Sequence, residues 1–134
     1  MSTQASDRRS RWQRGAAAVE MAILFPLLFL ILAGIVDFGR FFFESIQVAN
    51  AAREGARAAI VSPADVTARV EAAAPGFTGL IIDPGPACTA GGVATVKVSN
   101  PSFQWILLGP AMSLFGSTGI SKTPTSTAVM RCGG

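Results

Sequence analysis

The sequence predicts an α+β fold. A long N-terminal transmembrane helix continues past the bilayer into the periplasm. A small C-terminal domain follows, with a short helix and two or three antiparallel strands. Three observations lead there. The first is an uncharged apolar run, 21–36, in a chain that is 50% hydrophobic and only 14% charged, too poor in charge for an ordinary soluble protein. The second is a helical apolar period that persists after this run, to about residue 60. The third is a pair of strand-like segments late in the chain, "VATVKVS" and "TSTAVMRC", set among connections rich in glycine and proline.

Residues 1–15 carry Arg8, Arg9, Arg11 and Arg14 against Asp7, and the rest of the chain holds seven basic and seven acidic side chains. The whole excess of +3 therefore precedes the apolar run. That is the positive-inside signal of a single-pass protein with its N-terminus in the cytoplasm. A nucleic-acid partner is the competing reading, and it finds no basic stripe downstream. With no apolar period, 1–15 reads as a disordered cytoplasmic leader. Residues 21–36 make about 24 Å of helix, short of a hydrocarbon core of roughly 30 Å. Starting at Ala16 supplies the missing length but draws Glu20 into the span. Pro26 removes one backbone donor, which membrane helices tolerate when neighbours satisfy the freed carbonyl.

Past Val36, the side chains of Phe38, Phe41, Phe42, Ser45, Ala49, Ala52, Ala56, Ala59 and Ile60 share one predicted helical face. Arg40, Gln47, Asn50 and Glu54 fall opposite, and Arg40 and Glu44 are spaced to pair. The apolar face shifts from phenylalanine to alanine, and small residues let another element come close. Two uses stay open: covering the chain's own domain, or packing against other subunits. Gly55 is a soft spot in this helix. Ser62 then looks like an N-cap, with Pro63 at the first helical position and Asp65 three residues after the serine. "PADVTARVEAAA" is thus a short second helix closed by Pro75-Gly76. Residues 76–92 read as loop, with 80–82 as a short strand. Residues 93–99 alternate Ala94, Val96 and Val98 with Thr95, Lys97 and Ser99, as a half-buried strand does. Residues 101–116 form an apolar connection with short helical pieces, broken at Gly109-Pro110, and 125–132 form the last strand. Trp105, Leu107, Leu108, Leu114 and Phe115 serve either as core of this domain or as a partner surface.

Cys88 and Cys132 are the only cysteines. They form no CxxC motif, and with no histidine in the chain a zinc site lacks ligands. Outside the cytoplasm a Cys88–Cys132 disulfide is the expectation. No histidine is present to act as a base, and no pair of acids has a diagnostic spacing, so an enzyme is not expected. Nor is a metal, a cofactor or a small-molecule substrate.

Four readings compete for the N-terminus. A secretory signal needs small residues at −3 and −1 after the apolar core, and Ile31 and Leu32 are poor at −3. A twin-arginine signal, hinted by Arg8-Arg9, lacks the same cleavage site. An uncleaved anchor leaves Gly15 and Glu20 unexplained. "RGAAAVE" resembles the leader of type IV prepilins, where the cut follows a glycine and a glutamate stands fifth in the mature chain. The stretch 15–59 further resembles the TadE-like family, pseudopilins of the tight adherence (Flp pilus) system. The resemblance rests on Gly15, Val19-Glu20, Pro26 with its leucines, Asp37-Phe38-Gly39-Arg40, and Asn50-Ala51-Ala52-Arg53-Glu54-Gly55-Ala56-Arg57. It implies cleavage between Gly15 and Ala16 by a prepilin peptidase, and an assembly role for Glu20. It also implies the inner membrane, other pilins, pseudopilins and the tight adherence secretion machinery as partners, with a place in an extracellular pilus. The domains would then be a leader, 1–15, an assembly helix, 16–60, and a periplasmic α+β domain, 61–134. The other reading is an uncleaved, membrane-anchored periplasmic scaffold or binding protein.

Overall fold

A computed structural model describes residues 4–114, 116–117 and 119–133, with side chains from Gly15 onward. Helix α1 runs unbroken over Gln4–Val61. A 3-10 turn, Pro63–Asp65, leads into α2, Val66–Ala73. Strands β1, Ile81–Asp83, and β2, Val93–Ser99, come next, followed by α3, Leu108–Leu114, and β3, Thr125–Arg131. The strands form one antiparallel sheet in the order β1-β2-β3.

The α+β expectation holds, and the third strand is real. Two local expectations are corrected. Residues 4–14 are helical rather than disordered. They contain neither glycine nor proline, and adding residues to a formed helix is far easier than nucleating one. The side chains of Arg8, Arg9, Arg11 and Arg14 lie outside the described set. Gly55, expected as a soft spot, is a point of contact inside a continuous helix. A Cβ there would stand 2.6 Å from Val70 Cγ2 and 3.0 Å from Val96 Cγ1. Glycine at 55 lets α2 and β2 both reach the α1 backbone.

The core is built around the outer half of α1. Val48, Ala51, Ala52, Ala56 and Ala59 are buried against Val66 and Val70 of α2 and Ala94, Val96 and Val98 of β2. The alternation of β2 aims those three side chains inward, and the register sets Val96 opposite Ala128 and Ala94 opposite Met130. Alanines on α1 allow the close approach, so the first of the two uses left open for this face is the one observed. The face is nonetheless rotated from the predicted one. Phe38 and Phe42 are exposed, whereas Asp37 is buried and Glu44 half-buried. The apolar period assumed water outside and core inside. At a membrane exit the outer face is itself apolar, so the polar side chains mark the side turned to the domain.

Ser62 precedes the second helix as expected, but its side chain makes no capping hydrogen bond. The turn starts with Pro63 at the N1/N2 position, which fixes φ in advance. Cys88 and Cys132 are joined in a disulfide across a sequence separation of 44 residues, with Cα atoms 5.8 Å apart. It ties the end of β3 to the loop before β2, where Cys132 N–H also donates to the Gly92 carbonyl.

Gly55→Ala is expected to destabilise the domain by about 1 kcal/mol, since overpacking costs about 1–3 kcal/mol and better helix propensity returns at most about 1. Gly39→Ala, where no atom lies within 4 Å of the new Cβ, is expected to stabilise by about 0.5–1 kcal/mol. Denaturant titration of the near-ultraviolet signal in detergent checks both signs. Reduction of Cys88–Cys132 is expected to cost about 4 kcal/mol on the chain-entropy estimate, read as a lower melting temperature with reductant than without.

Candidate functional site

Two stations on α1 carry chemistry. The inner one begins at Gly15. From Gly15 to Leu32 every side chain is exposed, including Met21, Ile23, Phe25, Leu27 and Phe29. Among the described residues nothing covers this shaft. Among the described residues α1 is the one helix long and apolar enough to cross a membrane. Gly15, Ala16 and Glu20 lie at its start, with Glu20 about one helical turn past Ala16. Among the described side chains Glu20 has no hydrogen-bond or ion-pair partner.

The outer station is formed by Asp37, Arg40 and Glu44, whose i, i+3, i+7 spacing puts them on one side of α1. Asp37 is fully buried. Its Oδ2 accepts hydrogen bonds from the backbone N–H groups of Leu107 at 2.9 Å and Leu108 at 2.7 Å. Its Oδ1 accepts one from Ile106 N–H at 3.3 Å. These donors open α3, so Asp37 caps that helix from about seventy residues away (a separation of 71 for Leu108). Glu44 Oε2 accepts from Asn100 Nδ2 at 2.8 Å. Asn100, itself buried, also accepts from Ser102 N–H through Oδ1 and donates its own N–H to the Pro124 carbonyl. The β2–β3 connection is thereby held at both of its ends.

Arg40 stands between the two acids, 4.0 Å from Asp37 Oδ1 and 3.9 Å from Glu44 Oε1. It donates to the Gln104 carbonyl at 3.3 Å and lies over the Phe103 ring, 5.6 Å from its centre. Its side chain is 39% exposed, so these pairs orient the connection more than they stabilise it. Trp105 stacks on Phe41 with ring centres 5.6 Å apart and meets Phe38 and Phe103 edge-on. Its Nε1–H donates to the Lys122 carbonyl. Of the residues read as core or partner surface, Leu108 is buried, Trp105 and Leu107 are half-buried, and Leu114 is 86% exposed. Phe115 lies outside the described residues.

The remaining motif residues stay apart from this station. Asn50, Arg53, Glu54 and Arg57 are exposed on α1, where Arg53 donates to Asn50 Oδ1 at 3.5 Å. Glu54 and Arg57 line a shallow cleft with Ser62, Asp65 and Arg69. Glu20 sits about 25 Å and Gly15 about 33 Å along the helix from Asp37, from the rise per residue. Sequence reasoning anticipated the Arg40–Glu44 pair and missed Asn100 with its hydrogen bond to Glu44. The signal available was the i, i+3, i+7 run of charged side chains just beyond an apolar span, where no aqueous face is needed. Among the described residues no group of three or more His, Cys, Asp or Glu is placed to hold a metal ion.

Residues 15–57 match a family model described as TadE-like protein. The match covers most of α1, from the glycine at the start of the shaft to Arg57, and ends before α2 and the sheet. No curated protein and no solved structure shows a significant match.

Asp37→Ala leaves three backbone N–H groups without an acceptor, at about 1–3 kcal/mol for each buried group that stays dry. Fast amide exchange at 106–108, with β2 protection retained, is the expected result. Asp37→Asn is expected to fall between it and the native chain, because one oxygen remains. Glu44→Gln keeps an acceptor for Asn100 and is expected to leave these amides protected.

Proposed function

We propose, from the premise that this chain is a TadE-like protein of the tight adherence system, that it acts as a minor pilin. It is a structural subunit, cut between Gly15 and Ala16 by a prepilin peptidase, whose shaft packs with other pilins and pseudopilins. The N-terminus starts in the cytoplasm, the sheet domain lies in the periplasm, and the processed subunit enters or primes an extracellular pilus. The observation that carries this reading is the uncovered shaft. The family match takes in the whole stretch 15–32, in which every residue is exposed. The chain's own domain is satisfied by the outer half of α1, so the inner half is left for lipid first and for subunits afterwards.

Glu20 gives this packing a register. An unpaired acid at the centre of a spanning helix costs about 2.5–3.5 kcal/mol, and less near its end. Before cleavage the nearest cations are Arg14 and its neighbours, held among headgroups. Cleavage makes a new amine on Ala16, one turn before Glu20. In a staggered bundle the acid faces the amine of an adjacent subunit, where low dielectric strengthens the attraction. Apolar contacts alone slide easily along a shaft. A charge pair fixes the axial step.

Intact-mass measurement of membrane-extracted protein is expected to show loss of residues 1–15. Glu20→Gln is expected to insert and be cut normally but to pilate poorly, since losing about 1.4 kcal/mol per contact lowers an association constant about tenfold. Normal pilation and adhesion by Glu20→Gln cells would remove the register role. An uncut chain would instead favour the anchored periplasmic scaffold.

A further inference from the structure

We infer that the segment 103–114 is a membrane-interface element, seated in the headgroup layer of the bilayer face from which α1 emerges. The inference rests on the membrane anchoring of α1 and is independent of cleavage or assembly. Depth follows from helix rise. Residues 16–36 span about 30 Å, which matches the hydrocarbon thickness. Asp37 then stands at the hydrocarbon edge, and the headgroup layer covers roughly the next four residues, at 1.5 Å each. The segment docks at this level and no further out. Ile106, Leu107 and Leu108 are bonded to Asp37, and Trp105 and Phe103 pack on Phe38 and Phe41. It also reaches toward the membrane. Ala33 is 1% exposed, whereas Ala22, on the bare shaft, is exposed. Helix α3 packs against α1, and cover over Ala33 lies one turn on the membrane side of Asp37.

The surface left at this depth suits lipid. Ile106 is 56% exposed and Leu114 86%. Ile35, Val36, Phe38 and Phe42 on α1 are exposed too, and they continue along the helix from the exposed Ile31 and Leu32. Polar atoms in the patch are satisfied from within. Asp37 holds three N–H groups, and Trp105 Nε1–H has the Lys122 carbonyl. That internal satisfaction is the condition for placing irregular backbone beside a bilayer. Trp105 and the phenylalanines are the residue types that favour this layer. Arg40, part-exposed, sits where its guanidinium reaches lipid phosphates while its stem stays apolar. A second copy of the chain would also cover apolar side chains. Continuity with the lipid-facing shaft, at a depth set by the helix, favours the bilayer.

The test uses the full chain carrying Trp12→Phe, which leaves Trp105 as the single tryptophan. The protein is reconstituted in vesicles of phosphatidylethanolamine and phosphatidylglycerol. The acyl chains are unbrominated, brominated near the headgroup, or brominated near their ends. Trp105 is expected to lose much of its emission with the shallow bromine, to lose clearly less with the deep one, and to resist aqueous iodide. Emission unaffected by either lipid and quenched by iodide would overturn the inference. So would emission shielded from bromine and iodide alike, with the shielding lost on dilution into excess lipid. That pattern assigns the surface to a second copy. An intact Cys88–Cys132 disulfide and an unchanged circular dichroism spectrum confirm that the variant is folded.

Discussion

The acceptance of three backbone N–H groups by the buried Asp37 carboxylate is the contact on which the architecture turns. The connection between β2 and β3 is long and apolar, and it carries the unpaired donors of a helix start. Left free, those donors need water or a cap. Asp37 supplies the cap from α1, and in doing so it fixes where along the anchor the domain sits. The second tie, Glu44 to Asn100, holds the root of the same connection two turns further out. Between them Arg40 and the Phe41–Phe103–Trp105 cluster fill the gap. The domain is thus attached to the helix at a defined height, not merely strung after it.

That attachment explains the division of labour along α1. Its outer half is a wall of the core, lined by Val48, Ala51, Ala52, Gly55, Ala56 and Ala59, all buried. Small side chains there bring the sheet and α2 against the helix backbone, and Gly55 marks the tightest approach. From Gly15 to Leu32 the helix is exposed throughout. A helix that is an internal wall at one end and an external shaft at the other must change character somewhere. The change falls between Ala33 and Asp37, where the cover of the domain begins. The disulfide then closes the far side of the sheet, so a small domain with few large core residues does not depend on apolar burial alone.

Much of this was legible in the residues, and the part that was not has a physical cause. The long helix, β2 and β3 follow from period and from turn residues, because each is a local consequence of side-chain spacing. The resemblance in 15–59 pointed to the same stretch that the family match covers. The phase of the buried face was not legible. Apolar moment analysis assumes that a polar face lies opposite the core, and near residues 37–44 the face opposite the domain carries the exposed Phe38, Phe42 and Phe43. The consequence was to rank Phe38 and Phe42 inward and to give Glu44 only Arg40 as a partner. Gly55 was misjudged for a related reason. Helix propensity counts the cost of glycine in isolation, whereas the approach of Val70 and Val96 is a property of the assembled core. The tie of Asn100 to Glu44 carried no local signal, since the two lie 56 residues apart.

Two acids on one helix now stand in contrast. Asp37 lies where the anchor leaves the apolar zone, and the chain itself provides every donor its carboxylate uses. Glu20 lies where the anchor enters that zone, on a stretch that no other described part of the chain covers. A carboxylate in either place is unfavourable unless something answers it. The fold answers the first and has no described side chain to answer the second. An acid satisfied within the chain fixes internal geometry, and Asp37 does so for the height of the domain. An acid left for a partner outside the chain is suited to fixing geometry between molecules. The same electrostatic rule assigns Asp37 to folding and is the ground on which we propose Glu20 for assembly. On this view the helix carries two rulers: one for the domain on the shaft, the other for the shaft among its neighbours.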